Sequence, residues 1–440
     1  MQKVNKTIQK MLEEKKISQE EYDILFEPKN GWFTLDISGN QDWSSSVDKI
    51  ERFEQSLHKV ISLQTGEIKL NNIHFPPFYF SGFKKEYTLN INERISFDNA
   101  TFWSKADFGG TKFSENVDFM EVRFESLTIF IGTRFEKETN FTESIFFKDV
   151  QFDRARFKGN VWFVGTKFKE ESNFSYSVFE NDADFERVEF EKMWIAWEMQ
   201  FHRINLQGAS FKEANLLGLT GYKKDAEYVT LEKKHFFNKE SARLIKAHFE
   251  KQNNITEANK YFRLEQDLYL DMLKNKDSQE PNRWQTITAL YFTRIVSAFG
   301  TNWIIALLSL FIFGYLATIG YVFLNGIKNY TSISHLVYSS LMVMGLMAIY
   351  FSVYTKKDSE NYKLIPISFA SLFFCIAFYF GWGNALDVTN LAIKLINPTN
   401  LFKDDETFKN LELYGVIVRV IAATILYQLL VAFRQNTRRT

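Results

Sequence analysis

The residues whose spacing most clearly suggests chemistry are basic. Lys112, Arg134 and Arg156 follow one another at equal intervals of twenty-two positions, each directly before a phenylalanine. If one such interval forms one turn of a coil, these side chains stack on one outer face, with Arg123 and Lys167 opposite. Stacked like charges repel unless an anion or a partner offsets them. The pattern predicts either a face for an acidic partner or a solvated surface with acids on the adjoining sides.

The sequence contains no recognisable catalytic or metal-binding constellation. Its six histidines lie far apart and beside no cysteine, so no zinc signature exists. The single cysteine, Cys375, excludes an intramolecular disulfide framework. Gly109-Gly110 lacks the Lys and Ser/Thr of a phosphate-binding loop. We therefore expect no enzymatic activity, no catalytic residue, no cofactor and no bound metal.

One further basic residue lies in an apolar stretch near the end of the chain. Arg419 falls about one turn into the segment Gly415–Phe433. A charge inside a membrane span is unfavourable and indicates a functional role by default. The alternative is a long side chain that extends to the membrane interface. Arg419 is therefore the candidate functional residue of the membrane part.

The elements that position these residues follow a regular period of phenylalanines. From Phe97 to Phe190 the steps between them alternate between five and six, so the true period is eleven residues. A small or β-branched residue stands two positions before each Phe, and strand residues two apart point the same way. Units of this kind bury their faces only on their neighbours, which is typical of a solenoid. After Phe190 the steps shorten to five, which predicts tighter coils ending near Tyr222.

These units resemble a known repeat. Ala106-Asp107-Phe108-Gly109-Gly110 and Ala183-Asp184-Phe185-Glu186-Arg187 look like the pentapeptide-repeat motif, A-(D/N)-(L/F)-x-x. The resemblance implies a right-handed quadrilateral β-helix in which four units make one coil and the Phe and its small partner point inward. Because steps of five and six residues alternate, four units make a coil of about 22 residues instead of 20. The two additional residues lie at corners on two of its sides.

Helices are predicted on both sides of the solenoid. Ser18 and Glu21 have the spacing of a capping box, and an amphipathic stretch runs from about Asp42 to Leu63. Residues 1–68 are therefore predicted to form a helical cap over the first coil, the alternative being a separate partner-binding module. The solenoid then occupies residues 69–222. A helical linker at 223–296 contains a hairpin of Ser241 to Gln252 and Thr256 to Lys274. This linker is similar to that of membrane-anchored bacterial pentapeptide-repeat proteins, as is the junction Ser297–Trp303.

The remaining residues, 297–440, are predicted to cross a membrane. Four apolar stretches are long enough to span about 30 Å of hydrocarbon: Trp303–Leu324, Ile333–Tyr354, Leu364–Trp382 and Gly415–Phe433. The apolar piece Val388–Ile396 is too short to span and is predicted as a surface or re-entrant helix. More positive residues flank one side than the other, which favours both termini in the cytoplasm. The expected location is the bacterial inner membrane.

Two functions are compatible with this organisation. The first is a non-enzymatic membrane protein that displays its solenoid to a cytoplasmic protein partner as a scaffold or sensor. The second is an oligomeric ion channel or membrane-permeabilising effector that the solenoid gates. Lys plus Arg and Asp plus Glu both total 53, so no net charge favours nucleic acid as a partner. Beyond the lipid bilayer, the partner and any homo-oligomer are left open by the sequence.

Overall fold

The computed structural model describes residues 5–29, 34–35, 41–42, 44–76, 78–79, 90–224, 229–275, 281–326, 330–354, 382–397 and 412–437. The chain divides into two compact units, Met1–His248 and Phe249–Thr440. The α-helices are α1 Lys6–Glu13, α2 Gln19–Phe26, α3 Val47–Ser62, α4 Lys239–Lys251, α5 Ile255–Lys274, α6 Arg283–Ser297, α7 Trp303–Asn325, α8 Tyr330–Tyr354, α9 Trp382–Ile396 and α10 Glu412–Thr437. Short 3-10 helices occupy Ser44–Ser46 and Lys233–His235, and an antiparallel pair joins Thr34–Leu35 to Gln41–Asp42.

Most of the first unit is a parallel β-solenoid with four faces, which confirms the predicted fold. Face A stacks Asn90–Ile91, Lys112–Phe113, Arg134–Phe135, Arg156–Phe157, the start of Val178–Asp184, the start of Gln200–Asn205 and Thr220–Gly221. Face B stacks Glu67–Lys69, Arg94–Ser96, Val117–Asp118, Thr139–Asn140, Val161–Trp162 and the later parts of Val178–Asp184 and Gln200–Asn205. Face C stacks His74–Phe75, Thr101–Phe102, Arg123–Phe124, Ile145–Phe146, Lys167–Phe168 and the starts of Glu189–Ile195 and Ser210–Asn215. Face D stacks Phe78–Tyr79, Ala106–Asp107, Thr128–Ile129, Val150–Gln151, Ser172–Asn173 and the later parts of Glu189–Ile195 and Ser210–Asn215.

Phenylalanine rings fill the bore of the solenoid. Rings one coil apart stack nearly parallel, with centroids 4.6 Å apart for Phe124 and Phe146 and 5.2 Å apart for Phe113 and Phe135. Rings from the opposite faces B and D meet edge to face across the bore, as Phe130 and Phe141 do at 5.5 Å. Both arrangements suit the ring quadrupole. The core is therefore a continuous aromatic stack, with the small residues Ala, Thr, Ser and Val between the rings.

The eleven-residue period also appears in the backbone. A β-turn recurs once in every eleven residues, and its third residue has positive φ. A hydrogen bond closes each turn, such as the one from Ala100 N–H to Phe97 O at 2.8 Å. This is the conformation that favours glycine at the third turn position. Between the first and last complete coils these residues are Asn99, Gly110, Glu121, Gly132, Glu143, Arg154, Gly165, Tyr176, Arg187 and Glu198. The turns lie in the five-residue steps, whereas the six-residue steps bend without one.

The coils tighten toward the C-terminal end, as the sequence predicts. Phe168 pairs with Phe190, twenty-two positions later, whereas Trp194 pairs with Ala214, only twenty positions later. Two register shifts of one position each absorb the difference, one between Phe179 and Asp182 and one between Phe190 and Met193. The phenylalanine register also begins before the unbroken run, because Phe75 pairs with Phe102 and Ile91 with Phe113. From the sequence we also expect Phe80 in this register, but it lies outside the described residues.

Helices cover the first coil of the solenoid. Helix α2 begins with the predicted capping box of Ser18 and Glu21. Helix α3 begins at Val47, later than the predicted Asp42, which belongs to a short strand. Its Phe53 ring packs edge to face on Phe75 at 5.8 Å. Buried apolar contacts of this kind close an otherwise open solenoid end.

The last coil is also covered. Phe236 packs edge to face on Phe201 at 6.0 Å, and Leu206 N–H donates to Ser241 Oγ at 2.7 Å. The buried ring of His235 lies against Gly221, where an added Cβ would come within 2.4 Å of Nε2. The segment that follows the solenoid thus supplies both ring contacts and hydrogen-bond partners to its last strands.

The described part of the second unit is helical, and many of its outward-facing side chains are apolar. Among its described residues three helices are long and apolar enough to cross a membrane: Trp303–Asn325, Ile333–Tyr350 and Leu413–Arg434. The predicted third span, Leu364–Trp382, lies outside the described residues except for its last residue. Large apolar side chains point away from the bundle, with Phe323 65%, Tyr427 62% and Leu430 61% exposed. That distribution suits lipid and not water.

Helices α7 and α10 run antiparallel within this unit. Trp303, at the start of α7, packs edge to face on Phe433, near the end of α10, at 6.4 Å. In the C-terminal half of α7, Ala317 O accepts a hydrogen bond at 2.7 Å from the hydroxyl of Tyr414, near the start of α10. The chain therefore begins its first span and ends its last at the same end of the bundle.

Candidate functional site

The predicted basic column exists on face A. Lys112 pairs with Arg134, and Arg134 pairs with Arg156, in adjacent parallel strands. Each of the three precedes an inward Phe, so its own side chain points outward. Arg123 and Lys167 lie on face C, two coils apart, with Ile145 between them. The structure thus brings together the three residues that the sequence predicted for one face.

Acids offset part of this column. Arg156 Nε lies 3.0 Å from Glu180 Oε1, and Lys158 Nζ lies 2.6 Å from Glu136 Oε2. The hydrogen bond from Lys158 keeps the pKa of Glu136 below its ordinary value. Lys112 and Arg134 form no ion pair with any residue that the structure describes. Lys112 and Arg134 also lower the pKa of Glu136, so this one carboxylate is shared among three cations and the column keeps a net positive charge.

The outward Asp and Asn residues of the repeats have a structural role. Asp118 Oδ1 accepts from Met120 N–H at 3.0 Å, and Asn140 Oδ1 accepts from Thr142 N–H at 2.9 Å. The same bond recurs at Asp107, Asn173, Asp184 and Asn205. Partial burial raises the pKa of Asp118 and of Asp184. These side chains hold the turns, which explains their recurrence without any catalytic pairing. No cluster of three or more His, Cys, Asp or Glu residues able to hold a metal occurs within the described ranges.

A buried lysine lies in the N-terminal cap. Lys29 is fully buried, donates to Ile24 O at 2.5 Å and places its ammonium 5.4 Å from the centroid of the Phe53 ring. Burial lowers the pKa of Lys29 to about 7, against an ordinary 10.5. Nearby His74 accepts from Trp103 Nε1 at 3.2 Å, and burial lowers the pKa of His74 to about 4. Sequence reasoning missed Lys29, because nothing in its spacing marks it as buried.

The stability of the cap is expected to rise with pH above neutrality. Between about pH 7 and 10.5 the unfolded chain holds a proton on Lys29 that the folded chain does not, so raising the pH favours the folded cap. The gain is at most about 1.4 kcal/mol per pH unit, or about 2 kcal/mol from pH 7.5 to 9. Amide hydrogen exchange in α2 and α3, corrected for intrinsic rates, measures it. Lys29→Met should remove this slope, and Lys10→Met, at a lysine whose side chain is 73% exposed, should keep it. An unchanged slope in Lys29→Met would contradict the assignment.

The membrane unit buries its candidate residue. Arg419 is 4% exposed, on a helix whose other faces carry exposed apolar side chains. Helix α9, which contains the predicted short piece Val388–Ile396, packs on the middle of α7. Thr389 Oγ1 lies 2.9 Å from the Tyr315 hydroxyl, and Gly314 leaves room for Ile396. A functional role for Arg419 stays a prediction.

Comparison with known families identifies the repeat. Residues 108–156 and 152–193 match the family model of pentapeptide repeats. Comparisons with curated proteins and with solved structures gave no match. The matched residues lie within the solenoid, and they include all three residues of the basic column, Lys112, Arg134 and Arg156. The comparisons therefore identify the repeat and assign no function to the outer faces of the solenoid.

Proposed function

We propose that this chain, a pentapeptide-repeat protein with helices able to cross a membrane, is a non-enzymatic membrane scaffold or sensor that binds a partner protein through its solenoid. The observation that carries the proposal is the filled bore. Phe97, Phe108, Phe119, Phe130 and Phe141 are all 0% exposed, and the rings above and below them stack in direct contact. A substrate cavity has no room inside such a core, so binding takes place on the outer faces.

The side of the membrane on which the solenoid lies is inferred from the positive residues that flank the spans. Arg283 and Arg294 precede the first span, and Arg434 ends the last one. Positive residues near span ends favour the cytoplasmic side. Since Trp303 and Phe433 meet at one end of the bundle, both positive groups belong to the same side. We place the solenoid and both termini of this sequence in the cytoplasm.

A channel is the second candidate, and two observations favour it. Arg419 is buried within a candidate span, where an ionisable side chain is unfavourable without a function. Helix α9 is too short to span and packs on the middle of a spanning helix. Short helices at membrane depth occur where they are buried in protein or line a water-filled path. Several copies would be needed around such a path.

One experiment separates the two functions. Crosslinking is measured with a photo-reactive amino acid placed in the full-length protein at Arg134 on face A or at Lys167 on face C. Ion flux is measured separately, with the purified protein in liposomes. The scaffold predicts a discrete protein adduct from at least one face and no flux. The channel predicts an ion flux that Arg419→Gln reduces and Arg434→Gln, at the end of the last span, does not. Such a flux, together with no protein adduct from either face, would overturn the scaffold.

A further inference from the structure

The exposed apolar side chains of the solenoid lie along one edge. Among its described residues the large apolar side chains classed as exposed are Ile131, Tyr176, Trp197 and Leu217, at 38%, 37%, 42% and 47%. All four fall in the turns that lead from face D to face A. With Arg154 they form what we call the aromatic edge. Singly exposed apolar residues are ordinary, but a row of them along one edge marks a contact surface.

The centre of the edge is a stack of three side chains. The Arg154 guanidinium lies 5.4 Å from the centroid of the Tyr176 ring, and the Tyr176 and Trp197 rings are 5.3 Å apart. Backbone hydrogen bonds hold the same residues, since Arg154 N–H donates to Ser175 O and Tyr176 N–H to Trp197 O, both at 3.0 Å. Arg, Tyr and Trp are the residue types enriched where binding energy concentrates in protein interfaces.

Two residues of this stack occupy unfavourable backbone positions. Tyr176 has φ +56° and Arg154 has φ +52°. In the turns of the same edge, the equivalent positions in other coils include Gly110, Gly132 and Gly218, which take this conformation without strain. Glu198 in the next turn of this edge has the same backbone conformation, so these turns accept other side chains, and Tyr176 is the aromatic residue among them. The fold itself does not need an aromatic ring at this turn.

The edge adjoins the basic column. Arg154 precedes Arg156 by two residues, and Gly132 precedes Arg134 by two, so the edge runs beside face A. Arg134 forms no ion pair with any described residue, and the Arg154 guanidinium interacts with the Tyr176 ring and with the nearby Asp153. An acid, Glu198, follows Trp197 at the other end of the stack. On the adjoining face A, Lys112, Arg134, Arg156 and Lys158 outnumber their acidic neighbours Glu136 and Glu180, so a net positive charge flanks the aromatic pair.

We infer that the aromatic edge binds an acidic peptide segment of a partner protein. An apolar or aromatic side chain of the segment packs on Tyr176 and Trp197, and its carboxylates face Arg154 and Arg134. This inference rests on the proposed scaffold function and names its surface and the chemistry of its partner. Charge complementarity sets the orientation, while the aromatic pair supplies the desolvated contact.

Random peptides displayed against the full-length protein in nanodiscs test the inference. The selected peptides should be rich in Asp and Glu around one Trp, Phe or Leu, and their binding should weaken as salt is raised. Trp197→Ala and Tyr176→Gly should each weaken binding about thirtyfold, the size expected of a central interface residue. Tyr176→Gly should leave the thermal midpoint unchanged or higher, since glycine relieves the strained turn.

A matched pair on another face is the control. Arg123 lies 4.6 Å from the centroid of the Phe147 ring on face C, so Phe147→Ala removes a similar contact away from the edge and should leave binding intact. Two results would overturn the proposed binding role of the edge and leave the scaffold function standing. In the first, the selected peptides bind Trp197→Ala as tightly as the unchanged protein. In the second, they crosslink to a photo-reactive residue at Val164 and not at Ile131. A library that yields no binder on any face overturns both.

Discussion

Replacing Gly159 with alanine is expected to destabilise the middle of the solenoid by about 3 kcal/mol or more, the upper range for overpacking. A Cβ at Gly159 would lie 2.3 Å from the carbonyl carbon and 2.4 Å from the carbonyl oxygen of Lys137. Those atoms belong to the backbone of the preceding coil and cannot rotate away. The two coils must separate to admit the methyl group, which strains the hydrogen bonds between them. Native-state hydrogen exchange of the amides between Lys137 and Phe163 measures the loss.

Gly132 provides the matched control. It is a turn glycine with φ +65° and nothing within 4 Å of its added Cβ. Gly132→Ala therefore adds only the conformational penalty of positive φ, about 1–2 kcal/mol. We expect exchange near residue 159 to accelerate far more in Gly159→Ala than exchange near residue 132 does in Gly132→Ala. Equal effects would show that conformational preference and not coil contact governs Gly159.

The fold could be predicted because one short rule repeats many times. The eleven-residue period determines which side chains enter the bore, and pairing at twice that period follows from it, as the pairing of Lys112 with Arg134 shows. The steps of five after Phe190 predict the tighter last coils for the same reason. The apolar stretches Trp303–Leu324 and Gly415–Phe433 are long enough that length alone indicates membrane spans.

The aromatic edge was not predicted, although a signal for it exists. Tyr176 and Trp197 stand outside the phenylalanine register, so a search for the register passes over them. Aligning the eleven-residue units instead places Tyr176 where Gly110 and Gly132 stand, and that contrast identifies the strained turn. The burial of Lys29 could not be inferred, because it depends on how helices far apart in sequence meet the first coil. The packing of α9 on Gly314 is likewise a tertiary contact without a local pattern.

Phe146→Ala is expected to cause the largest loss of stability, because it opens a cavity in the aromatic stack. Phe146 is 0% exposed, and its ring stacks on Phe124 at 4.6 Å and on Phe168 at 5.0 Å. Truncating a buried Phe removes about 3–5 kcal/mol, and a bore of rigid stacked rings has little freedom to collapse into the gap. Since a solenoid is held together by contacts between neighbouring coils, the loss divides it at that point.

Phe147 is the control that separates the loss of a stacked inward ring from the loss of any phenylalanine. Phe147 follows Phe146 directly but points outward, where it lies beside the Arg123 guanidinium and is only half buried. Phe147→Ala should remove about 1 kcal/mol or less, within the range of an exposed cation–π contact. Hydrogen exchange of the full-length protein should show amides on both sides of residue 146 opening independently in Phe146→Ala and together in Phe147→Ala. If the two variants opened alike, the ring stack would not be what joins the coils, and a continuous aromatic core could no longer explain how one surface of the solenoid is held rigid for a partner.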